Sequence, residues 1–205
     1  MDAPARPLRA DAARNRTRVL DAARVAFAEA GLDVGVEEIA RRAGVGKGTL
    51  YRRFPTKEAL VRAIFADILE EVEQLAEHAA AEPDPHAAFA QFIEASARMQ
   101  GSNQGFYDVV AQRLGTAALT AEQRLQFMNA VGRPLKRAQE AGVVRDDLVP
   151  EDVQIMLRMV GAATRPAPDG SSMEDIWPRY LGLLLDSLRP EAATPLPAEP
   201  WRLKR

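Results

Sequence analysis

Apolar residues recur at helical spacing through most of this 205-residue chain, and this periodicity limits the possible folds more than any other feature. Leu60, Ile64, Ile68 and Val72 lie four residues apart and predict one long helix from residue 57 to about 81. Alternation of apolar and polar residues is not sustained anywhere, so no strand is predicted. We therefore predict an all-α fold with a small N-terminal head and a larger C-terminal helical bundle.

Glycine and proline divide this helical pattern into segments. In the second half, Pro134 and Pro178 lie inside candidate helices and predict kinks. Residues 120–123 and 171–174 match the capping box that begins a helix. The candidate helices of this half are 85–100, 103–117, 120–141, 150–164 and 172–188. The expected domains are a flexible arm (1–13), a DNA-binding head (14–56), a helical domain (57–188) and a disordered Pro-rich tail (189–205).

Composition excludes several classes of protein and site. The chain has no Cys and two His, so disulfides, thiolate metal sites and Cys nucleophiles are excluded. No catalytic template is matched, and we expect no catalytic residues, metal or cofactor. No apolar run approaches the roughly 18 residues of a membrane span, and no secretory signal is recognised, so we expect a cytoplasmic protein.

Charge is distributed unevenly along the chain. Residues 1–60 contain 12 Lys and Arg against 8 Asp and Glu, a net charge of +4, whereas the remainder carries −6. A basic first third on an acidic remainder favours a head that faces nucleic acid. Ordinary scatter would explain the same numbers, so the charge alone does not decide.

The segment 36–54 has the pattern of a helix-turn-helix. Two short helical stretches, 36–43 and 47–54, flank a Gly-Val-Gly break. The turn of this motif needs a residue that tolerates positive φ, and the helices need a small residue where they meet. The residues expected to form the core of the motif are Ile39, Ala40, Gly44, Val45, Leu50 and Phe54.

Residues 14–65 closely resemble the DNA-binding head of the TetR family of one-component transcriptional regulators. The matching residues include Phe27 and Gly31, the Ala43-Gly44-Val45 turn, residues 47–51 and the Lys57–Leu60 segment. Gly35 and Gly46 depart from the pattern, because the family often has Thr or Ser there. Glycine is an acceptable helix cap, so the fold is preserved, but hydroxyl contacts to phosphate would be missing.

This resemblance implies a set of DNA-binding residues. Segment 47–54 would be the recognition helix in the major groove, with base-edge contacts from Lys47, Gly48, Thr49 and Arg52. Tyr51 and Lys57 match positions that usually bind phosphates, and the start of the first helix would contact the DNA backbone. The predicted DNA-binding residues are Arg16, Arg18, Lys47, Gly48, Thr49, Tyr51, Arg52, Arg53 and Lys57.

The resemblance also implies a larger domain that binds a small effector and forms a homodimer on a palindromic operator. A pocket rich in Phe and Met suits a largely apolar molecule, although plain core packing explains such residues equally well. A bundle that docks a protein partner is the alternative. The predicted effector-binding residues are Phe92, Met99, Phe106, Tyr107, Val110, Leu114, Phe127 and Met128. The predicted dimer-interface residues are Met156, Met159, Val160, Trp177, Tyr180, Leu181 and Leu184.

Overall fold

The computed structural model describes residues 6–113, 120–162 and 177–200, and within these ranges the fold is all-α, as predicted. The helices follow the apolar periodicity of the sequence, and each break contains glycine, proline or a polar turn. In chain order the helices are α1 (Arg6–Ala30), α2 (Val36–Ala43), α3 (Lys47–Arg53), α4 (Lys57–Ala81), α5 (Pro85–Ser102), α6 (Gln104–Arg113), α7 (Ala121–Glu140), α8 (Pro150–Ala162) and α9 (Trp177–Ser187).

Among the described residues, 6–67 and 103–113 form one compact unit. Its core includes Phe27, whose ring centroid lies 6.3 Å from that of Phe106, and Phe65, 5.3 Å from Phe106. Helix α6 approaches α1 closely at Gly105, where a Cβ atom would lie 2.8 Å from Cβ of Ala28. This unit is larger than the predicted head of residues 14–56, because the first part of α4 and all of α6 belong to it.

Residues 68–102, 120–162 and 177–200 form the second compact unit. Its core takes buried side chains from α4, α5, α7, α8 and α9, among them Phe92, Leu135 and Trp177. The Arg137 guanidinium donates to the carbonyl oxygens of Ala79 at 2.8 Å and of residue 82 at 2.6 Å. These bonds satisfy carbonyl groups at the C-terminal end of α4, which have no partner within the helix.

The expected flexible arm and disordered tail need correction. Helix α1 begins at Arg6, so residues 6–13 are helical. A proline in the first turn forfeits no helical hydrogen bond, and the Ala, Leu and Arg that follow Pro7 favour helix. At the other end, the Thr194 carbonyl accepts a 2.8 Å hydrogen bond from buried Arg145, whose backbone N–H donates to the Leu188 carbonyl. These bonds order the start of the tail.

Most predicted helix boundaries in the second half fall within two residues of the observed ones where both ends are described. The capping box of α7 is present: the Thr120 hydroxyl accepts from the Gln123 backbone, and the Gln123 side chain accepts from the Thr120 backbone, both at 3.1 Å. Pro134 is buried inside α7, which continues past it as one helix. The second predicted capping box, at 171–174, lies outside the described residues, as does Leu114.

Candidate nucleic-acid interface

The turn between α2 and α3 adopts the geometry that the motif requires. Gly44 has φ +63°, a left-handed conformation that favours glycine, and its N–H donates to the carbonyls of Ala40 and Arg41. Val45 N–H also donates to the Ala40 carbonyl, at 3.0 Å. Gly35 and Gly46 precede the two helices without a side-chain cap. Of the residues predicted for the core, Ile39, Ala40, Leu50 and Phe54 are buried, Val45 is half-buried and Gly44 is exposed.

Helix α3 exposes almost its whole length. Leu50 is its buried residue and fixes the helix against the head. The remaining side chains therefore face solvent, and they include two adjacent arginines. The exposed positions are Lys47, Gly48, Thr49, Tyr51, Arg52 and Arg53, and all six were predicted to contact DNA.

Lys47, at the start of α3, contacts the first turn of α2. Its ammonium pairs with the Glu37 carboxylate and lies 5.7 Å from the Tyr51 ring centroid. The hydrogen bond from Lys47, then the backbone N–H of Glu37, lowers the pKa of the Glu37 carboxyl, and the same pair raises the pKa of Lys47. Both groups are therefore charged at neutral pH. Sequence reasoning missed Glu37, although an acid in the first turn of α2 was visible in the sequence.

The two arginines predicted to touch the DNA backbone have partners within the protein. Arg16 donates to the Asp67 carboxylate at 2.8 Å, and Arg24 donates to the other oxygen of that carboxylate at 2.7 Å. Arg18 lies over the turn and reaches the Gly44 carbonyl at 3.5 Å. Arg18 is exposed and Arg16 half-buried, so both guanidiniums keep donors that face solvent.

Lys57 joins the start of α4 to the loop after α1. Its ammonium donates a 2.9 Å hydrogen bond to the Leu32 carbonyl. An ammonium has three donors, so two of them are left for a phosphate or water. Lys57 therefore links the start of α4 to the loop after α1, and its ammonium still places positive charge at the surface of the head.

A groove of about 330 Å³ lies between the middle of α1 and α3. Its walls are largely apolar, and its rim is cationic. Apolar walls beneath several guanidiniums suit a phosphodiester backbone, whose sugars pack while its phosphates accept hydrogen bonds. The lining residues are Asn15, Arg16, Val19, Val45, Thr49, Leu50, Arg52, Arg53 and Phe54.

The predicted effector-binding residues are divided between the two units. Phe106, Tyr107 and Val110 belong to the unit that contains the helix-turn-helix, and Phe106 and Val110 are buried there. The others that the structure describes belong to the second unit. Of these, Phe92 is buried in the core, Met99 and Phe127 pack against it, and Met128 is half-buried.

The predicted dimer-interface residues fall into three groups by exposure. Val160, Trp177 and Leu181 are buried within the chain's own core, which removes them from the surface. Met159 and Tyr180 are 67% and 48% exposed. Met156 and Leu184 are partly buried against the core. Two further exposed apolar residues, Ile155 and Leu183, accompany Met159 and Tyr180 on α8 and α9.

Within the described ranges, no group of three or more His, Asp or Glu side chains is placed to hold a metal ion. Within the same part of the chain, no helix is both long and apolar enough to cross a membrane.

Comparison with known proteins gives matches over both halves of the chain. The family model "Bacterial regulatory proteins, tetR family" matches residues 19–64. The model "Transcriptional regulator SbtR-like, C-terminal domain" matches residues 84–190. These ranges include the helix-turn-helix and most of the second unit.

Solved structures agree with the family models. A TetR transcription regulatory protein from Mycobacterium vanbaalenii is 35% identical, with 89% of this chain and 99% of that chain covered and a TM-score of 0.66. A TetR transcriptional regulator from Streptomyces coelicolor is 31% identical, with 85% and 98% covered and a TM-score of 0.65. The regulator PfmR from Thermus thermophilus is 28% identical, with 82% and 97% covered and a TM-score of 0.61. The chain belongs to the TetR family of bacterial transcriptional regulators.

Proposed function

We propose that this regulator is a repressor that binds a palindromic operator as a homodimer and releases it when a small, largely apolar effector binds. The observation that carries the proposal is the exposed face of α3, where Lys47, Thr49, Arg52 and Arg53 project from a helix anchored by Leu50. An α-helix with such a face fits the major groove, where each base pair presents a distinct pattern of donors and acceptors.

Within this proposal, the DNA contacts divide into two kinds. Lys47, Thr49 and Arg52 reach base edges, and Gly48 allows the backbone of α3 to approach the groove. Tyr51, Arg53 and Lys57 bind phosphates. Arg16 and Arg18 keep their intramolecular partners and offer their remaining donors to the DNA backbone.

Exposed apolar side chains on α8 and α9 support the homodimer. Ile155, Met159, Tyr180 and Leu183 are between 38% and 67% exposed. Apolar surface of this kind is favourable to bury against a second copy. A twofold dimer presents its two recognition helices to successive major grooves, about 34–36 Å apart, which explains the palindrome.

A buried hydroxyl on α5 supports an effector site in the second unit. Ser96 is 2% exposed, and no hydrogen-bond partner for its Oγ is found among the described residues. A buried polar group without a partner costs about 1–3 kcal/mol, and a ligand that supplies one removes this cost. Phe92 lies one helical turn before Ser96 on α5. We propose that the effector occupies this region with its apolar part near Phe92 and one polar atom on Ser96.

Helix α4 is the proposed link between effector and DNA. Residues 57–67 of α4 belong to the head's unit and residues 68–81 to the other. Asp67, at the end of the first part, binds Arg16 and Arg24 of α1. A shift of α4 by the effector would therefore move α1 and alter the spacing of the two recognition helices. The change that the effector causes in the free energy of operator binding equals the difference between its own binding free energies to the operator-bound and the operator-free protein.

A bundle that docks a protein partner is the alternative, and the same exposed residues of α8 and α9 favour it. Sedimentation of the purified protein separates the two proposals. A homodimer at micromolar concentration favours a second copy as the occupant of this face, whereas a monomer leaves the face available for another protein.

Selection of random duplex DNA by the full-length protein, followed by sequencing, tests the proposed function. Enrichment of an inverted repeat is the expected result. Failure to enrich any sequence at low salt, with a folded sample, would overturn it.

A further inference from the structure

The ion pair between Lys47 and Glu37 lies on the exposed surface of the helix-turn-helix. Lys47 is the first residue of α3, and Glu37 is the second residue of α2. Their side chains are 55% and 58% exposed, so the pair is not a buried clamp. A surface ion pair of this kind contributes little to stability. Its position beside the recognition helix therefore calls for a functional explanation.

Glu37 and Glu38, the two acids in the first turn of α2, have different partners. Glu38 accepts hydrogen bonds from both Arg41 and Arg42, and these occupy its carboxylate. Glu37 instead pairs with Lys47, which also lies over the Tyr51 ring. A carboxylate accepts at up to four positions and an ammonium donates three hydrogen bonds, so both groups keep capacity after pairing.

The pair has the donor and acceptor pattern that complements a G·C base pair. In the major groove guanine presents two acceptors, N7 and O6, and cytosine presents one donor, its N4 amino group. O6 and N4 are about 2.9 Å apart because they are joined by a hydrogen bond. An ammonium and a carboxylate that are themselves hydrogen-bonded have the same spacing with the opposite polarity.

We propose that Lys47 and Glu37 together read one G·C base pair in each operator half-site. Lys47 donates to N7 and O6 of guanine while Glu37 accepts from N4 of cytosine, and the bond between the two side chains is kept. This inference rests on the proposed function and names a base pair that the operator must contain.

A T·A pair fits the same two side chains less well. Thymine presents one acceptor, O4, beside a methyl group that displaces the lysine ammonium. Adenine presents N7, an acceptor, next to its amino group, and this nitrogen repels the carboxylate. Reversal of either base pair places a donor against the ammonium. The carboxylate therefore gives discrimination that a lysine alone, which donates to any nearby acceptor, does not provide.

The test compares three full-length proteins in the random-duplex selection: wild type, Glu37→Ala and Glu38→Ala. Both variants remove one negative charge from a solvent-accessible position in the first turn of α2, and circular dichroism confirms that each is folded. Glu38→Ala is the matched control, because the Glu38 carboxylate pairs with Arg41 and Arg42 and its removal leaves the pair between Lys47 and Glu37 in place. Titration of the selected operator, and of one with only the assigned G·C pair changed to T·A, then measures discrimination.

The expected wild-type result is an inverted repeat with one G·C pair in each half-site that Glu37→Ala no longer enriches. Discrimination at that pair falls by about tenfold, the ordinary value of one good base contact. Glu38→Ala retains the wild-type preference at every position. The inference is overturned if Glu37→Ala selects the wild-type repeat unchanged, or if its preference falls equally at all positions. Failure of the wild type to select any repeat overturns the proposed function and this inference together.

Discussion

Asp67 of α4 accepts a 2.7 Å hydrogen bond from Arg24 of α1. The other oxygen of the same carboxylate accepts from Arg16, two helical turns earlier on α1. These side chains are between 15% and 30% exposed, so the three charges are partly shielded from water. The triad ties the first part of α4 to α1, and Arg16 also lines the groove beside α3.

Asp67→Asn is therefore expected to lower the free energy of unfolding by about 1–3 kcal/mol, because two partly buried guanidiniums would face a neutral amide. Urea denaturation at pH 7 measures the change. Asp186→Asn is the matched control: its pair with Arg189 is mostly exposed and contributes about 0–1 kcal/mol. Equal losses in the two variants would show that the triad adds no more than a surface pair.

The sequence predicted the helices and the turn because these depend on local chemistry. Apolar spacing, a glycine with positive φ at residue 44 and the capping box at Thr120 each act over a few residues. Residues 6–13 escaped prediction because Pro7 was read as part of an arm, whereas in the first turn of a helix proline is tolerated.

The parts that could not be predicted depend on contacts between distant residues. The partner of Arg16 is 51 residues away, and nothing in the local sequence indicates whether a guanidinium binds Asp67 or a phosphate. Likewise, Trp177 and Tyr180 both carry the apolar character expected of an interface. Only the folded chain shows that Trp177 fills its own core while Tyr180 remains exposed.

Gly48→Ala is expected to raise the stability of the protein and to lower its affinity for the operator. A Cβ atom at Gly48 meets no atom of the described residues within 4 Å, and alanine favours helix over glycine by up to about 1 kcal/mol. The thermal midpoint should therefore rise slightly. Operator affinity should fall, because the added methyl group separates α3 from the base edges. Calorimetry and operator titration measure the two effects, and unchanged affinity would show that residue 48 does not approach DNA.

Glu38 is expected to contribute to acid sensitivity. Hydrogen bonds from Arg41 and Arg42 lower the pKa of Glu38 to about 2. In the unfolded chain the pKa of Glu38 is about 4.3. The contribution of its ion pairs to the free energy of unfolding is therefore present above pH 4.3 and disappears as the pH falls towards 2. Wild type should thus lose more stability than Glu38→Gln between pH 5 and pH 2, as measured by urea midpoints. Equal losses would mean that the ion pairs do not persist in solution.

Met159→Asp is expected to convert the proposed homodimer to a monomer. Met159 is 67% exposed on α8, and a carboxylate there would be buried without a partner in a twofold interface. Sedimentation velocity at micromolar concentration measures the state. Leu125→Asp is the control, since Leu125 is similarly exposed, at 62%, on α7. If Met159→Asp remains a dimer, or if both changes have an equal effect, the dimer interface does not include α8.

Lys57→Ala and Arg52→Ala are expected to weaken DNA binding in different ways. Lys57 is proposed to bind a phosphate, so its loss should reduce affinity equally for the operator and for random duplex and make the salt slope less steep by about one. Arg52 is proposed to reach a base edge, so its loss should reduce operator affinity more than random-duplex affinity. Fluorescence titrations over a range of salt concentrations, from about 50 to about 200 mM, measure both quantities.

Lys57→Ala also removes the hydrogen bond to the Leu32 carbonyl, and so a structural effect must be separated from a phosphate contact. Lys57→Arg keeps the charge and a donor, and it should restore most of the salt slope if the phosphate contact depends on the positive charge at residue 57. If Lys57→Arg instead behaves like Lys57→Ala in salt dependence while both remain folded, residue 57 acts only through the loop after α1. If Arg52→Ala weakens operator and random duplex equally, Arg52 belongs with the phosphate contacts, and base recognition by α3 depends on its first half.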